Sequence, residues 1–340
     1  MKKNKEDIVA LWKRNFQDVP EERYPWIYED NPAGSALCFL IQNSKQDTIV
    51  GATALFPRRL FINGRPFMAG IAGDFLIDKS HRSLGPALLL QKAAISNCNG
   101  KGFNIFYGFP NSQSEAVLQR VGYKIIGDVF RLTKPLRSNY YLKKHIKSRL
   151  IAKALSKPAD IAMRLVSSEN YYKRADRNTI ELLSSFDKRF DTLWEKAITK
   201  FPIIMERSSS YLSWRYSQSP HNNYNIFALI QEDSREVIGF IIFHVVENRV
   251  YIDDVLALDT EAILDALLSE FLIFQREKGM DSVLAGYMGT YNFIKKLLSY
   301  GFSIKDKESK VLAYIPSDSP YLSLLLNREN WHLMPGDNDI

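Results

Sequence analysis

One sequence pattern occurs twice in this 340-residue chain, and the repetition constrains the fold more than any other feature. The segments 26–32 and 214–220 both read Trp-x-Tyr-x-x-polar-Pro. Three further pairs of matching runs follow in the same order: Leu40-Ile41-Gln42 and Leu229-Ile230-Gln231, Asp74-Phe75-Leu76 and Asp254-Val255-Leu256, and Gly122-Tyr123 and Gly301-Phe302. Four matches in one order indicate an internal duplication. We therefore predict two copies of one α/β unit, in domains 1–135 and 180–340, joined by a basic linker at 136–179.

The first copy has the residue pattern of a mixed sheet flanked by helices. Apolar and β-branched runs predict strands at 37–42, 48–62, 66–77, 103–107 and 125–132, and helical spacing predicts helices at 88–97 and 111–121. Asn63-Gly64 is a signal for a two-residue hairpin turn, and Gly122 marks the end of the second helix. The expected fold class is α/β (α+β), with a mixed central sheet in each of two tandem units.

Composition limits the partners and the compartment. The net charge of +7 and the pI near 9.1 favour an anionic partner without specifying it. Cys38 and Cys98 are too few for a disulfide framework, and no Cys/His pair has zinc spacing, so we expect a reducing cytoplasm and no metal. The longest apolar run, 237–243, is far shorter than the ~20 residues that span a bilayer.

The turn His81-Arg82-Ser83-Leu84-Gly85-Pro86-Ala87 lies between a strand-like run and a helix-like run. Such a turn directs backbone N–H groups and a helix N-terminus towards an anion. Ser83, Gly85 and Ala87 add little side-chain bulk, and Arg82 offers a charge-assisted hydrogen bond. Pro86 removes one N–H donor, although proline is favoured in the first turn of a helix. The turn therefore predicts a phosphate-binding site.

These motifs resemble the GNAT superfamily of N-acetyltransferases. The run Arg82–Ala87 is similar to that family's acyl-CoA loop, Arg/Gln-x-x-Gly-x-Gly/Ala, and Asn111 with Gly122-Tyr123 is similar to its second motif. The resemblance covers about residues 20–132 well and 210–315 weakly. The chain also looks like the tandem-GNAT proteins of bacterial surface-polysaccharide gene clusters, which share Phe109-Pro110-Asn111 and a tail with Trp331, Gly336, Asp337 and Asp339.

The resemblance implies acetyl-CoA, or another acyl-CoA, as co-substrate. It places the pantetheine arm on the backbone of Phe75, Leu76 and Ile77, beside a splayed central strand. The residues expected to bind the rest of the donor are Arg82, Ser83, Leu84, Gly85, Pro86, Ala87 and Asn111. The matching segment of the second copy, 258–265, has no glycine and three carboxylates. We therefore expect the second unit not to bind CoA and to shape the acceptor groove instead.

Asp74 is the best candidate for the general base, with Asp78 next, because the family often takes its base from the strand before the loop. Asp74 stands in an apolar run, where burial would raise the pKa of a base, and a structural role at a strand bulge or contact with the acceptor are the alternatives. The position of the family's usual tyrosine general acid is Leu118 here. Residues expected to line the acceptor pocket are Trp26, Tyr28, Asn31 and Arg58.

The segment 134–157 holds eight Lys/Arg and no Asp or Glu. It is interpreted either as a connecting helix or as a basic amphipathic helix that touches an anionic membrane. The leading hypothesis is a cytoplasmic N-acyltransferase that acts on an amino sugar or related amine in surface-glycan assembly, with peripheral contact at the inner face of the membrane as an alternative to a purely cytoplasmic location; nucleic acid is not an expected partner. The alternatives are an aminoacyl-tRNA-dependent peptidoglycan-type transferase and a CoA-binding scaffold without activity.

Overall fold

The computed structural model describes residues 2–15, 19–45, 47–98, 102–138, 142, 146, 148–171, 178–259 and 261–338. The strands in these ranges are β1 (Leu37–Asn43), β2 (Thr48–Ile62), β3 (Arg65–Ile77), β4 (Ile105–Gly108), β5 (Lys124–Pro135), β6 (Asn178–Leu183), β7 (Ile203–Met205), β8 (Asn225–Gln231), β9 (Val237–Val246), β10 (Arg249–Ala257), β11 (Ser282–Gly289), β12 (Ser303–Tyr314) and β13 (Trp331–Leu333). The α-helices are α1 (Lys2–Asn15), α2 (Leu84–Cys98), α3 (Ser112–Arg120), α4 (Arg149–Leu165), α5 (Lys188–Ala197), α6 (Ser209–Leu212), α7 (Ala262–Glu277), α8 (Tyr291–Ser299) and α9 (Leu322–Leu326).

The same succession of elements occurs in both halves of the chain. Three antiparallel strands are followed by a helix, a strand, a helix and a strand, as β1, β2, β3, α2, β4, α3, β5 and as β8, β9, β10, α7, β11, α8, β12. Asn63 (φ 49°) and Gly64 (φ 76°) form the turn between β2 and β3 in the left-handed region, as the hairpin signal predicts. The mixed sheet with flanking helices confirms the expected fold class.

The last strand of each half pairs with the other half. Strand β12 lies between β4 and β5, and β5 lies between β12 and β11. All strands consequently belong to one sheet, which runs from β7 through β2, β3, β4, β12, β5, β11, β10, β9 and β8 to β6, with β1 on β2 and β13 joining β7 to β11. The sheet is continuous across residue 135, and the division into two domains stays a prediction.

Strands β3 and β4 separate shortly after they meet. They are parallel partners only at 69–71 and 105–107, and β3 then continues to Ile77 whereas β4 ends at Gly108. A Cβ on Gly108 would lie 3.0 Å from the carbonyl oxygen of Ala72, so the close contact at this point requires glycine. Because β3 and β4 diverge beyond this contact, a splayed gap opens between them, as the resemblance implies.

The linker is partly helical. Four apolar residues at helical spacing, Leu150, Ile151, Ala154 and Leu155, lie within helix α4, and Ile146 precedes its start. Residues 139–141, 143–145, 147 and 172–177 of the predicted linker lie outside the described residues, as do Thr260 of the second-copy turn and Asp339 of the tail.

Candidate functional site

The gap between β3 and β4 opens into a cavity of about 370 Å³. Three elements of the first half build its walls: the end of β3, the turn into α2, and one face of α3, with one residue from α1. The lining residues are Asn15, Phe75, Leu76, Ile77, Arg82, Ser83, Leu84, Ala87, Asn111, Gln113, Ser114, Ala116, Val117 and Arg120. Eight of the ten residues predicted to bind the donor are in this set, and the other two, Gly85 and Pro86, lie in the same turn.

The turn into α2 offers unused backbone donors. Helix α2 begins at Leu84, so Gly85, Pro86 and Ala87 form its first turn, where N–H groups have no partner within the helix. Within the described residues, no side chain caps this turn. A Cβ on Gly85 would meet nothing within 4 Å. The first turn of α2 is therefore open towards a ligand, and proline at its third residue removes a donor without breaking the helix.

The lining carries positive charge. Two arginines, Arg82 and Arg120, contribute to the wall, and the described lining residues include no carboxylate. The Arg82 guanidinium reaches back to the carbonyl oxygen of Ile77 at 3.4 Å. On the opposite wall the Asn111 side chain caps α3, accepting hydrogen bonds from the backbone N–H groups of Gln113 and Ser114, both at 3.0 Å. The positive charge of the arginines and the unpaired N–H groups in the first turn of α2 together favour the binding of an anion in the cavity.

Among the described residues, the space at the matching place of the second half is far smaller. The carboxylate of Asp259 accepts hydrogen bonds from the backbone N–H groups of Glu261 (3.0 Å) and Ile263 (2.9 Å), so the start of α7 is capped by its own chain. Phe293 stands three residues after the N-cap of α8, where α3 has Ser114. The cavity between β10 and α8 is only about 10 Å³, and His332 forms part of its wall.

The C-terminal segment is what fills this second gap. Strand β13 pairs with β11, and the imidazole Nε2 of His332 donates to the carbonyl oxygen of Val255 at 3.1 Å. Val255 follows Asp254, as Phe75 follows Asp74 in the first half. Burial lowers the pKa of His332 to about 4, and the Arg207 charge acts in the same direction. The ring is therefore neutral and occupies the side of the strand that faces the cavity in the first half.

Asp74 is held by two partners. Arg23 donates to both of its carboxylate oxygens at 2.9 Å, and the Tyr28 hydroxyl donates to Oδ2 at 2.7 Å. Both side chains of the ion pair are nearly buried, with 7% and 6% exposed. Asp74 has a φ of 46°, and it lies in a bulge where two residues of β3 face Thr53 of β2. This geometry favours the structural interpretation of Asp74 over its role as a base.

The second half contains an equivalent cluster. The Arg207 guanidinium lies 2.6 Å from the carboxylate of Asp254, and the Tyr216 hydroxyl donates to the same carboxylate at 3.1 Å. Asp254 is 1% exposed. A tyrosine and an arginine thus hold the aspartate in both halves, although the cavity beside the strand measures about 370 Å³ in the first half and about 10 Å³ in the second.

The four residues predicted to bind the acceptor do not line the cavity. Each is 5% exposed or less. The indole of Trp26 donates to the Trp214 carbonyl, and the side chain of Asn31 bonds the carbonyl of Pro57 and the N–H of Ala33. Tyr28 is committed to Asp74, and Arg58 donates to Asp337 at 2.8 Å. Most of their polar groups are used in folding, although Nε and Nη1 of Arg58 have no hydrogen-bond partner among the described residues, and this buried placement does not support the expected acceptor-binding set.

The tail is anchored by buried arginines. Asp337 is fully buried and receives hydrogen bonds from Arg58 and from both terminal nitrogens of Arg207. Arg215 donates to the carbonyl oxygens of Gly336 and Asn338 at 2.8 and 2.9 Å. Coulombic attraction to Arg207 and Arg58 outweighs burial and lowers the pKa of Asp337 to about 2. No group of three potential metal ligands occurs in the described ranges.

No tyrosine among the described residues lines the cavity, and Leu118 packs in the core at 4% exposed. Tyr107 and Tyr123 are buried, which raises the pKa of each hydroxyl. Tyr107 donates to the carbonyl oxygen of Asp337 at 3.1 Å. The tyrosine general acid that the family usually carries therefore has no replacement in this wall.

His221 is a residue that sequence reasoning missed. Its Nε2 atom is buried with no hydrogen-bond partner among the described residues, and its ring lies 5.6 Å from that of Trp26, edge to face. Burial and the charges of Arg23 and Arg215 lower its pKa. His221 is not among the residues that line the cavity, and its nearest described link to Asp74 is the charge of Arg23, which binds Asp74. The signal in the sequence was that His221 directly follows Pro220, the last residue of the repeated motif.

Comparison with known proteins agrees with this architecture. Residues 1–126 match the family model described as acetyltransferase (GNAT) domain. No curated protein matches the chain by sequence. A protein of unknown function from Enterococcus faecalis V583, described as a probable N-acyltransferase, is similar in structure with a TM-score of 0.63 at 14% identity, over 94% of this chain and 71% of that one.

Two further solved structures share the fold. A GCN5-related N-acetyltransferase from Anabaena variabilis has a TM-score of 0.62 at 13% identity, over 92% of this chain and 69% of that one. Saccharomyces cerevisiae N-myristoyltransferase with bound myristoyl-CoA has a TM-score of 0.56 at 13% identity, over 92% and 80%. Residues 1–126 are therefore similar to the GNAT acetyltransferase domain, and the solved structures share the fold over 92–94% of this chain.

Proposed function

We propose that the protein is an acyl-CoA-dependent N-acyltransferase whose donor binds in the first-half cavity. The observation that carries the proposal is the open first turn of α2 beside a cavity lined by two arginines and no described carboxylate. Diphosphate needs several N–H donors and compensating charge, and a helix N-terminus supplies both. Phe75, Leu76 and Ile77 supply an extended edge beside the cavity for the pantetheine arm.

The contrast between the halves supports a single donor site. In the first half the cavity measures about 370 Å³, whereas its counterpart measures about 10 Å³ and the matching helix start is capped by Asp259. We propose that the two halves are tandem GNAT-like units, of which only the first binds a donor. That S. cerevisiae N-myristoyltransferase holds myristoyl-CoA in the same fold is consistent with an acyl-CoA donor here.

The reaction requires a neutral amine and a route for one proton. The amine nitrogen bonds to the thioester carbonyl carbon, the C–S bond breaks, and the thiolate of CoA leaves. We propose His221 as the group that takes the amine proton, because its Nε2 is unpartnered within the described chain and burial keeps the ring neutral. The oxygens of Asp74 are already occupied by Arg23 and Tyr28, so Asp74 shapes the bulge next to Phe75.

The class of acceptor, the first donor to test and the compartment are also part of the proposal. We propose an amino sugar or a related amine of surface-glycan assembly, with acetyl-CoA as the first donor to test and the cytoplasm as the compartment. These choices rest on the sequence resemblance and on Cys38 and Cys98, which form no disulfide within the described residues.

Isothermal titration of the full chain with acetyl-, butyryl-, octanoyl- and myristoyl-CoA tests donor binding. We expect one site per chain and saturable binding of at least one thioester. Gly85→Glu places a carboxylate at the open first turn without a clash, and Gly85→Gln is the neutral control of equal length. The Glu variant should bind at least tenfold more weakly than the Gln variant. Absence of binding for every thioester, or equal affinity of the two variants, contradicts the proposal.

Acyl transfer itself is tested by CoA-thiol release with a panel of amino sugars and simple amines. Release above the hydrolysis rate of the donor alone supports the transferase and identifies the acceptor class. Donor binding without release for any amine would favour the scaffold without activity.

A further inference from the structure

Helix α4 presents an apolar ridge to solvent. Ile161, Leu165 and Val166 are 62%, 64% and 79% exposed, and Leu155 is 48% exposed. The positions 155, 158, 161, 162 and 165 fall on one side of a helix with 3.6 residues per turn. The opposite side faces the protein: Ser156 is 7% exposed, and the half-buried Asp160 carboxylate accepts from the N–H and hydroxyl of Ser138. The ridge is therefore the outer face of a helix that is fixed to the protein by its inner face.

A basic depression lies beside the ridge. Its volume is about 540 Å³, and it is lined by Leu136, Arg137, Ser156, Lys157, Asp160, Ile161, Arg164, Arg276 and Asp281. Four of these side chains are cationic and two are anionic. Asp160 keeps its charge while it accepts hydrogen bonds from Ser138, and Arg276 is paired with Glu169 outside this lining. Arg137, Lys157 and Arg164 are exposed, so the depression presents excess positive charge next to apolar side chains.

The sequence around the helix strengthens the same charge. The run 134–157 has eight Lys/Arg and no acidic residue. Lys and Arg along one side of an apolar helix face are the combination by which amphipathic helices bind anionic bilayers. None of the helices in the described ranges is both long and apolar enough to cross a membrane. Binding through α4 would be peripheral.

We propose that the outer face of α4 is a docking surface for an anionic membrane. The apolar ridge enters the boundary between headgroups and acyl chains, and the basic depression receives lipid phosphates. A second copy of the chain is the competing occupant of an exposed apolar face. Two copies would bring the basic depressions and flanking basic runs together, and this like-charge contact favours lipid over self-association.

Flotation of the full chain with lipid vesicles tests the proposal. We expect binding to vesicles of 70% phosphatidylcholine and 30% phosphatidylglycerol, little binding to pure phosphatidylcholine, and release as salt is raised. Ile161→Asp with Leu165→Asp should reduce the bound fraction at least tenfold. Leu89→Asp is the matched control, since Leu89 is a helical leucine with 61% exposure on α2, and it should bind as the unmodified chain does.

A second pair of variants separates the contribution of the basic residues to vesicle binding from that of the apolar residues. Lys157→Glu with Arg164→Glu should weaken binding roughly tenfold or more, while Lys157→Arg with Arg164→Lys should keep it. Circular dichroism of each variant verifies that the helix content is retained. Binding that is absent, equal on neutral vesicles, or unaffected by both sets of substitutions overturns the proposal. Sedimentation showing a dimer that Ile161→Asp dissociates, without vesicle binding, assigns the face to a second copy.

Discussion

Trp26 and Trp214 each donate an indole N–H to the backbone carbonyl of the other, at 2.8 Å in both directions. Their rings stack with centroids 5.1 Å apart and an angle of 21° between planes. Both residues begin the repeated sequence motif, and both are buried in short π-helical turns. The pair therefore joins the two halves at equivalent positions.

The two reciprocal hydrogen bonds of Trp26 and Trp214 should add to the free energy of unfolding beyond the apolar contact of their rings. Trp26→Phe and Trp214→Phe each keep a ring but leave a buried carbonyl without its donor, so each should cost about 1–3 kcal/mol in the free energy of unfolding. Urea denaturation of both single variants and the double variant measures this, and the effects should not add because the residues touch. Trp12→Phe is the control, because Trp12 Nε1 has no partner among the described residues. Equal losses in all three variants would contradict the hydrogen-bond argument.

Asp74→Asn should destabilise the fold more than it affects turnover of the folded fraction. It removes one partner of a buried ion pair and leaves the Arg23 charge uncompensated, at a cost of about 3–5 kcal/mol. Asp78→Asn is the control, because its partner Arg14 is 46% exposed and such pairs contribute about 0–1 kcal/mol. Urea denaturation gives the stability, and initial rates are normalised to folded protein. An Asp74→Asn variant that is stable but inactive would restore Asp74 as the base.

His221→Gln should lower kcat by about 10²–10⁴-fold and leave the KM for the thioester unchanged. In the unmodified chain, protonation of His221 should reduce kcat below a pH that lies under the ordinary histidine pKa of about 6.5, because burial, Arg23 and Arg215 lower its pKa. The Gln variant should lack this acidic limb. His244→Gln, which removes a histidine paired with Asp253, serves as control. An unchanged pH profile in the His221 variant would exclude the proton-transfer role.

His332 should make stability fall as the pH drops from about 6.5 to about 4. The unfolded chain takes up a proton in this window, whereas the folded chain, with a His332 pKa of about 4, does not. The loss should reach about 3 kcal/mol below pH 4 and should be missing from His332→Gln. Asp337, with its pKa lowered to about 2, contributes stability that is lost only at more acidic pH. Urea denaturation at a series of pH values separates the two windows; an identical slope in the Gln variant would argue against the assignment.

Local sequence signals predicted the elements around the candidate site closely. The strands predicted at 48–62 and 66–77 occur as Thr48–Ile62 and Arg65–Ile77, and Asn111 caps the helix Ser112–Arg120. These elements follow from apolar periodicity, turn residues and caps, which act over a few residues. The acceptor set stays a prediction, because contacts between distant segments of the chain decide it. Whether Trp26 or Asn31 faces a cavity depends on neighbours far along the chain, such as Trp214 and Pro57.

The sequence by itself determined the duplication of elements, the phosphate-type turn at Arg82–Ala87 and the difference of charge between the two copies. Only the tertiary structure decided that β5 and β12 pair across the halves, that Arg23 binds the Asp74 carboxylate, and that His332 fills the gap beside β10 in the second half. The physical reason is one of range. Turn and helix preferences arise within a few residues, whereas burial, ion pairing and cavity filling depend on segments that are distant in the chain and meet only in the folded state.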